Sequence, residues 1–140
     1  MSDLTAIIKQ GLKEKIKPAE QGLITDLIAK VFSTRDILHF AHWNTQKYSK
    51  HIAFQDLYDA LVDSLDEIVE AYQGKYGLLT NLKTYAMSMP ECVCTHVKEE
   101  AKWIEDNKDK IANGCPSVAN IIDDLVAKYY KTVYKLENLG

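Results

Sequence analysis

Six apolar residues at alternating steps of four and three positions constrain the fold of this 140-residue chain more than any other feature. They are Phe54, Tyr58, Leu61, Leu65, Ile68 and Tyr72. This spacing places all six on one face of an α-helix of about 25 residues. A helix with one apolar stripe must bury it against other elements. The pattern therefore predicts a helix over residues 51–75 that lies against a packed core.

The composition favours further helices over strands. The chain has only six Gly and three Pro, too few to supply the turns of a sandwich or barrel with many short strands. A chain of this length buries about two thirds of its surface in one core. We therefore expect one all-α domain over residues 1–140.

Helical periodicity and breaking residues divide the rest of the chain. The predicted helices span 3–16, 18–46, 91–112 and 116–138, in addition to 51–75. Short turns join 18–46 to 51–75 and 91–112 to 116–138, which predicts two antiparallel hairpins. The longer link after residue 77 allows a crossover between parallel helices. The prediction is a ferritin-like four-helix bundle with this crossover and an extra short N-terminal helix.

The charge and the number of cysteines indicate the cellular location of the protein and exclude some classes of partner. The net charge is -3, and Arg35 is the one arginine among 17 basic residues, so the charge does not support DNA binding. No apolar run is long enough to span a membrane, and the N-terminus lacks the features of a signal peptide. Three cysteines, an odd number, fit reduced thiols. We expect a cytoplasmic protein without a membrane partner.

A second stripe on the predicted helix 51–75 is polar. It consists of Gln55, Asp59, Asp63, Asp66 and Glu70, which on its own is typical of a solvated acidic face. Two histidines change this interpretation, because His42 ends the preceding helix and His51 opens this one. Imidazole nitrogens together with carboxylate oxygens suit iron, manganese or zinc.

One subunit cannot bring these groups together. His51 and Asp66 are 15 residues apart on one helix, which corresponds to about 22 Å. In a twofold dimer, the histidine end of one helix meets the acidic end of its mate, which creates two equivalent sites. The sequence therefore predicts a metal site at a subunit interface.

Three segments resemble the Dps proteins (DNA protection during starvation), or miniferritins. They are LHFAHWN at 38–44, HIAFQDLY at 51–58 and DEIVE at 66–70. The resemblance implies that His42 and His51 of one subunit and Asp66 and Glu70 of its twofold mate form a ferroxidase site. It further implies that peroxide or oxygen oxidises Fe(II) there, that iron is stored as mineral in a homo-oligomeric shell of twelve subunits, and that no organic cofactor is needed.

Two departures from the family pattern keep an alternative open. The family has an aspartate four residues after the second histidine, where this chain has Gln55, and the turn before that histidine is about three residues shorter. The alternative is a catalytically degenerate ferritin-like bundle, for example phage-encoded, that acts as a structural or assembly module.

The cysteines offer a separate candidate site. Cys92, Cys94 and His96 resemble a metal clip, with Cys115 as a fourth ligand. On a helix, however, Cys92 and Cys94 lie about 200° apart, and structural zinc sites prefer wider spacings. Free or buried thiols are the favoured interpretation.

Overall fold

The structure, a computed structural model, describes residues 18–140, with side-chain surroundings from residue 22 onward. This range contains four helices and no strand: α1 (Pro18–Asn44), α2 (Tyr48–Tyr76), α3 (Val93–Ile111) and α4 (Pro116–Asn138). The all-helical prediction is confirmed for these residues. The helix predicted at 3–16 lies outside them. None of the described helices is both long and apolar enough to cross a bilayer.

Three helices begin or end at different residues from those predicted. α1 ends two residues earlier than predicted, and α2 begins three residues earlier, because the His51 N–H already donates to the Lys47 carbonyl at 3.0 Å. The turn between α1 and α2 is therefore only residues 45–47. α3 covers 93–111 rather than 91–112, since the backbone of Cys92 is still extended. His42 therefore lies in the last turn of α1 and His51 in the first turn of α2.

The helices form a ring in which α1 and α4 each pack against both α2 and α3. α2 and α4 are antiparallel, since Lys128 bonds to Ser64 while Lys135 bonds to Asp56 near the start of α2. The Tyr76 hydroxyl donates to the carbonyl of Asn113 at 2.7 Å, which places the end of α2 beside the end of α3. α2 and α3 therefore run parallel.

The apolar stripe of α2 forms the centre of the core. Five of its six residues are buried, and Tyr58 is half-buried. Leu61, Ile68 and Tyr72 are fully inaccessible to water. Burying each Leu or Ile side chain contributes about 1.5–3 kcal/mol, so this stripe fixes which face of α2 turns inward.

The crossover, residues 77–92, has no regular secondary structure and returns along the outside of α1. Its first part is anchored by Leu79, which is buried and whose N–H donates to the Gln73 side chain at 3.0 Å. Its middle is held by Asp26 of α1, which pairs with Lys83 and accepts from the Tyr85 hydroxyl at 2.9 Å. The crossover is therefore attached to the bundle at two points.

Candidate metal site

His42 and His51 meet at the turn between α1 and α2. Their rings stack with centroids 3.5 Å apart and an interplanar angle of 18°. The Nδ1 of His42 bonds to the carbonyl of His51 at 2.8 Å, and the Nδ1 of His51 bonds to the carbonyl of His42 at 2.7 Å. His42 is buried and His51 is half-buried. The short turn thus holds both imidazoles in fixed orientations.

These two hydrogen bonds determine the tautomers. A carbonyl oxygen only accepts, so each Nδ1 must carry the hydrogen and donate it. In a neutral imidazole the lone pair is then on Nε2, and no hydrogen bond within residues 18–140 uses either Nε2. A backbone carbonyl on one ring nitrogen is a common way to orient a histidine whose other nitrogen binds a metal.

Aromatic side chains surround the histidine pair. The ring of Tyr58 contacts the ring of His42 edge-on, with centroids 5.4 Å apart. The same tyrosine ring stacks face to face on the ring of His39, with centroids 4.3 Å apart. Trp43 lies 4.5 Å from the His39 ring but keeps 66% of its surface exposed. The half-buried position of Tyr58 in the α2 stripe is explained by these ring contacts.

The predicted carboxylates lie elsewhere on the same helix. Asp66 and Glu70 are exposed on α2, as are Asp59, Asp63 and Glu67. The helical rise separates His51 from Asp66 by about 22 Å. Within residues 18–140 of one chain, no three His, Cys, Asp or Glu residues are grouped so that they could hold a metal ion. A single chain therefore brings the two histidines together, but it does not bring Asp66 and Glu70 close to them.

Residues 55 and 56 lie one turn beyond His51. Gln55 occupies the position where the resemblance leads us to expect an aspartate. Asp56 does not replace it, because its carboxylate is 3.2 Å from the Lys135 ammonium of α4. α2 is continuous through this region. Neither residue 55 nor residue 56 therefore offers an unpaired carboxylate to His51.

The cysteines do not form the four-ligand clip. Cys92 is the N-cap of α3, whereas Cys115 is buried at the N-cap of α4, after the far end of α3. The 19-residue α3 separates them by about 28 Å. Hydrogen bonds from the Thr95 side chain and backbone lower the pKa of Cys92, whereas burial raises the pKa of Cys94. Cys92 and Cys94 thus lie at one end of α3 in different environments, and Cys115 lies beyond its other end.

A buried polar network was missed by the sequence reasoning. Glu100 of α3 is only 7% exposed, and its Oε2 accepts from the Tyr129 hydroxyl of α4 at 2.5 Å. His96 Nε2 bonds to the Thr34 hydroxyl of α1 at 2.9 Å and lies 3.8 Å from Glu100 Oε1. The available signal was the four-residue spacing of His96 and Glu100, which places them on one helix face.

Comparisons with known proteins give a family but no activity. No solved structure matches the chain. An uncharacterized 14.6 kDa protein of Enterobacteria phage T4, from the mobD-ri intergenic region, is 25% identical over 114 residues, which cover 79% of this chain and 85% of the phage protein. Residues 42–136 match the model of DUF5856, and the chain therefore belongs to this family of unknown function.

Proposed function

We propose that this protein is a Dps-type, ferritin-like protein that oxidises Fe(II) at sites shared between subunits and stores the ferric product in a closed shell. The observation that carries the proposal is the His42–His51 pair. Both Nδ1 atoms are committed to backbone carbonyls, which leaves both Nε2 lone pairs for a metal ion. The sequence resemblance to Dps proteins gives this donor pair its specific interpretation.

The arrangement of helices supports the same proposal. Two antiparallel hairpins are joined by a crossover between the parallel helices α2 and α3. This connectivity, with one long crossover, is that of ferritin-like bundles. The histidine pair lies at the end of the α1–α2 hairpin, where we expect a second subunit to pack.

The missing ligands would come from the second subunit. With two α2 helices antiparallel about a twofold axis, Asp66 of the partner subunit and Glu70 of the partner subunit would approach His42 and His51. Trp43, 66% exposed, lies at this end of α1, and Tyr48, 78% exposed, opens α2. Exposed apolar side chains of this size favour burial in an interface, which supports a dimer at this position.

The ligands define the chemistry at the proposed site. Fe(II) is the substrate, bound by two neutral imidazoles and by carboxylates that offset its charge. Each Fe(II) gives up one electron, and hydrogen peroxide takes two electrons as its O–O bond breaks and two hydroxide ions form, so that one peroxide oxidises two Fe(II). Dioxygen is the alternative oxidant. Asp59 and Asp63 extend the acidic face and would attract iron to it or nucleate mineral.

A structural role is the second candidate, and Gln55 favours it. Without an acidic residue beside His51, the reciprocal His42–His51 hydrogen bonds would serve only to tie α1 to α2. The chain would then be an assembly module that keeps the bundle but has no oxidase activity. The similarity to a phage protein is in keeping with such a diverged relative.

Iron oxidation separates the two candidates. Anaerobic protein is loaded with Fe(II), peroxide is added, and ferric absorbance is followed for wild type, His51→Ala and Asp66→Ala. We expect both variants to lose at least about tenfold in rate, because each removes one side of the site. Asp124→Asn, an exposed change on α4, is the matched control and should oxidise iron like the wild type. Equal rates in wild type and both site variants would favour the structural role.

Subunit mixing tests whether the site is shared. His51→Ala and Asp66→Ala chains are unfolded together and refolded, so that about half of the dimers contain one chain of each kind. One of the two sites in such a dimer is intact, so about a quarter of the wild-type activity should return. No recovery in mixed dimers would contradict a site built from two subunits.

A further inference from the structure

The crossover and the outer face of α1 enclose a half-open cavity of about 400 Å³. Its apolar lining includes Phe32 and Phe40 of α1 together with Met87 and Met89 of the crossover. This volume is in the range of pockets that bind small molecules, as is a mainly apolar lining with a few polar groups. The cavity is distinct from the histidine pair.

The wall formed by the crossover is held in place. Tyr85, which lines the cavity, donates its hydroxyl to Asp26 at 2.9 Å, and Lys83 pairs with the same carboxylate. Burial alone would raise the pKa of Asp26, but the hydrogen bonds from Lys83 and Tyr85 outweigh it and hold the pKa below its usual value. Asp26 is therefore an anion that keeps the crossover against α1.

Much of the apolar lining remains exposed to water. Phe40 is 46% exposed, Met87 49% and Met89 43%. Methionine side chains are flexible and adapt to bound apolar groups, which makes them frequent at binding surfaces. A ligand with an apolar segment would cover this surface and gain from its burial.

Arg35 supplies the charged group at this cavity. It is the one arginine of the chain, and its guanidinium lies 5.1 Å from the ring of Phe32. Its Nε is 3.5 Å from the Asp36 carboxylate, but both side chains are substantially exposed, so this pair contributes little. A guanidinium fork matches a carboxylate with two hydrogen bonds. The negative charge of Asp36 disfavours a dianion such as a phosphate monoester.

We propose that this cavity binds an amphipathic monoanion, namely a carboxylate with a medium-length alkyl tail. The carboxylate pairs with Arg35, and the tail lies across Phe32, Phe40, Met87 and Met89. The proposal is independent of the iron site, and the two can fail separately.

The methionines provide a direct test. The chain has three, and two of them line the cavity, so protein labelled with ¹³C at the methionine methyl groups gives few signals to follow. On titration with decanoate below its micelle concentration, we expect the Met87 and Met89 signals to shift and saturate together. Decylammonium has the same tail and the opposite charge, and should bind at least tenfold more weakly.

Charge variants establish the role of the guanidinium. Arg35→Gln should weaken decanoate binding at least tenfold, and Arg35→Lys should weaken it less, since Lys keeps the charge but loses the fork. Lys131→Gln, at an exposed site on α4, is the matched control and should bind like the wild type. Because Arg35 is 39% exposed, its replacement should leave the melting temperature nearly unchanged.

Three results would overturn the proposal. Equal affinity of Arg35→Gln and wild type for decanoate would show that Arg35 does not recognise the carboxylate. Equal affinity of the wild type for decanoate and decylammonium would show that the cavity makes only non-specific apolar contacts. Shifts of Met87 and Met89 on diluting the protein without ligand, with no response to decanoate, would assign this surface to a second copy of the chain.

Discussion

At the scale of single residues, Glu100 is a carboxylate held almost entirely out of water. Burial raises its pKa, and hydrogen bonds from Thr34 and Tyr129 oppose this by stabilising the ionised form. The same burial raises the pKa of Tyr129, and the adjacent Glu100 charge raises it further. Burial lowers the pKa of His96, whose Nε2 bonds to Thr34. Side chains from α1, α3 and α4 are therefore linked through one buried polar network.

Replacing Tyr129 by Phe tests how much this network contributes. The change removes the hydroxyl that donates to Glu100 and leaves a buried carboxylate with one donor fewer. A lost hydrogen bond to a buried charged group should lower the free energy of unfolding by about 1.5–3 kcal/mol, measured by denaturant titration. Tyr134→Phe, at a residue 57% exposed, is the control and should change it by less than about 0.5 kcal/mol. Equal effects of the two changes would show that the bond to Glu100 contributes nothing.

At the scale of elements, α2 separates its roles by face. One face carries the apolar stripe that packs against the core, and the opposite side carries the exposed carboxylates from Asp59 to Glu70. Its first turn holds His51 against α1, and its last turn leads into the crossover. The crossover in turn depends on Asp26, because residues 80–89 are all exposed and make few buried contacts of their own.

Asp26→Asn should release the crossover without unfolding the bundle. The neutral amide loses the ion pair with Lys83 and weakens the bond from Tyr85, so the backbone ¹⁵N order parameters of residues 80–89 should fall at neutral pH. Asp106→Asn, which breaks an exposed ion pair within α3, should leave these order parameters unchanged.

The pH dependence of this attachment follows from the lowered pKa of Asp26. The folded-state pKa is below the ordinary 3.8, so the attachment contributes stability above that pH and loses it as the pH falls through the folded-state pKa. Below that pKa, wild type and Asp26→Asn should have equal order parameters over residues 80–89. A difference that persists there would contradict a role for the Asp26 charge.

At the scale of the whole molecule, the proposed site is incomplete in one chain. His51 lies at the start of α2 and Asp66 lies about 22 Å further along the same helix, so we propose that a second subunit completes the site. Trp43, at the end of α1, is the most exposed apolar side chain beside the histidine pair in the described part of the chain, apart from Tyr48. The proposed iron oxidation therefore requires that two subunits associate.

Trp43→Lys should weaken association. The change puts a charge on the surface that the proposed dimer covers, and we expect its dissociation constant to rise at least tenfold, or about 1.4 kcal/mol. Native mass spectrometry and sedimentation over a dilution series measure this, with Tyr134→Lys on α4 as the control for an equally drastic exposed change. An unchanged mass distribution in Trp43→Lys would place the subunit interface elsewhere.

The sequence allows part of the candidate site to be predicted. His42 and His51 flank a short polar turn between two periodic helices, so their proximity follows from local structure. The reciprocal bonds between their rings and carbonyls do not, because they depend on the turn being only three residues long. The burial of Glu100 could not be predicted from the sequence either, because it depends on Tyr129 and Thr34, which come from helices distant in sequence.

By itself, then, the sequence determined that the chain is helical, which face of α2 is apolar, and that its acidic residues share one side of that helix. These properties depend on periodicity within about 25 residues, where spacing alone decides which side chains are neighbours. Only the tertiary structure decided the tautomers of the two histidines, the enclosure of Glu100 and the cavity under the crossover. The enclosure of Glu100 and the cavity depend on contacts between segments far apart in the chain, and the tautomers depend on the geometry of the turn that joins two helices. No periodic pattern within one helix contains this information.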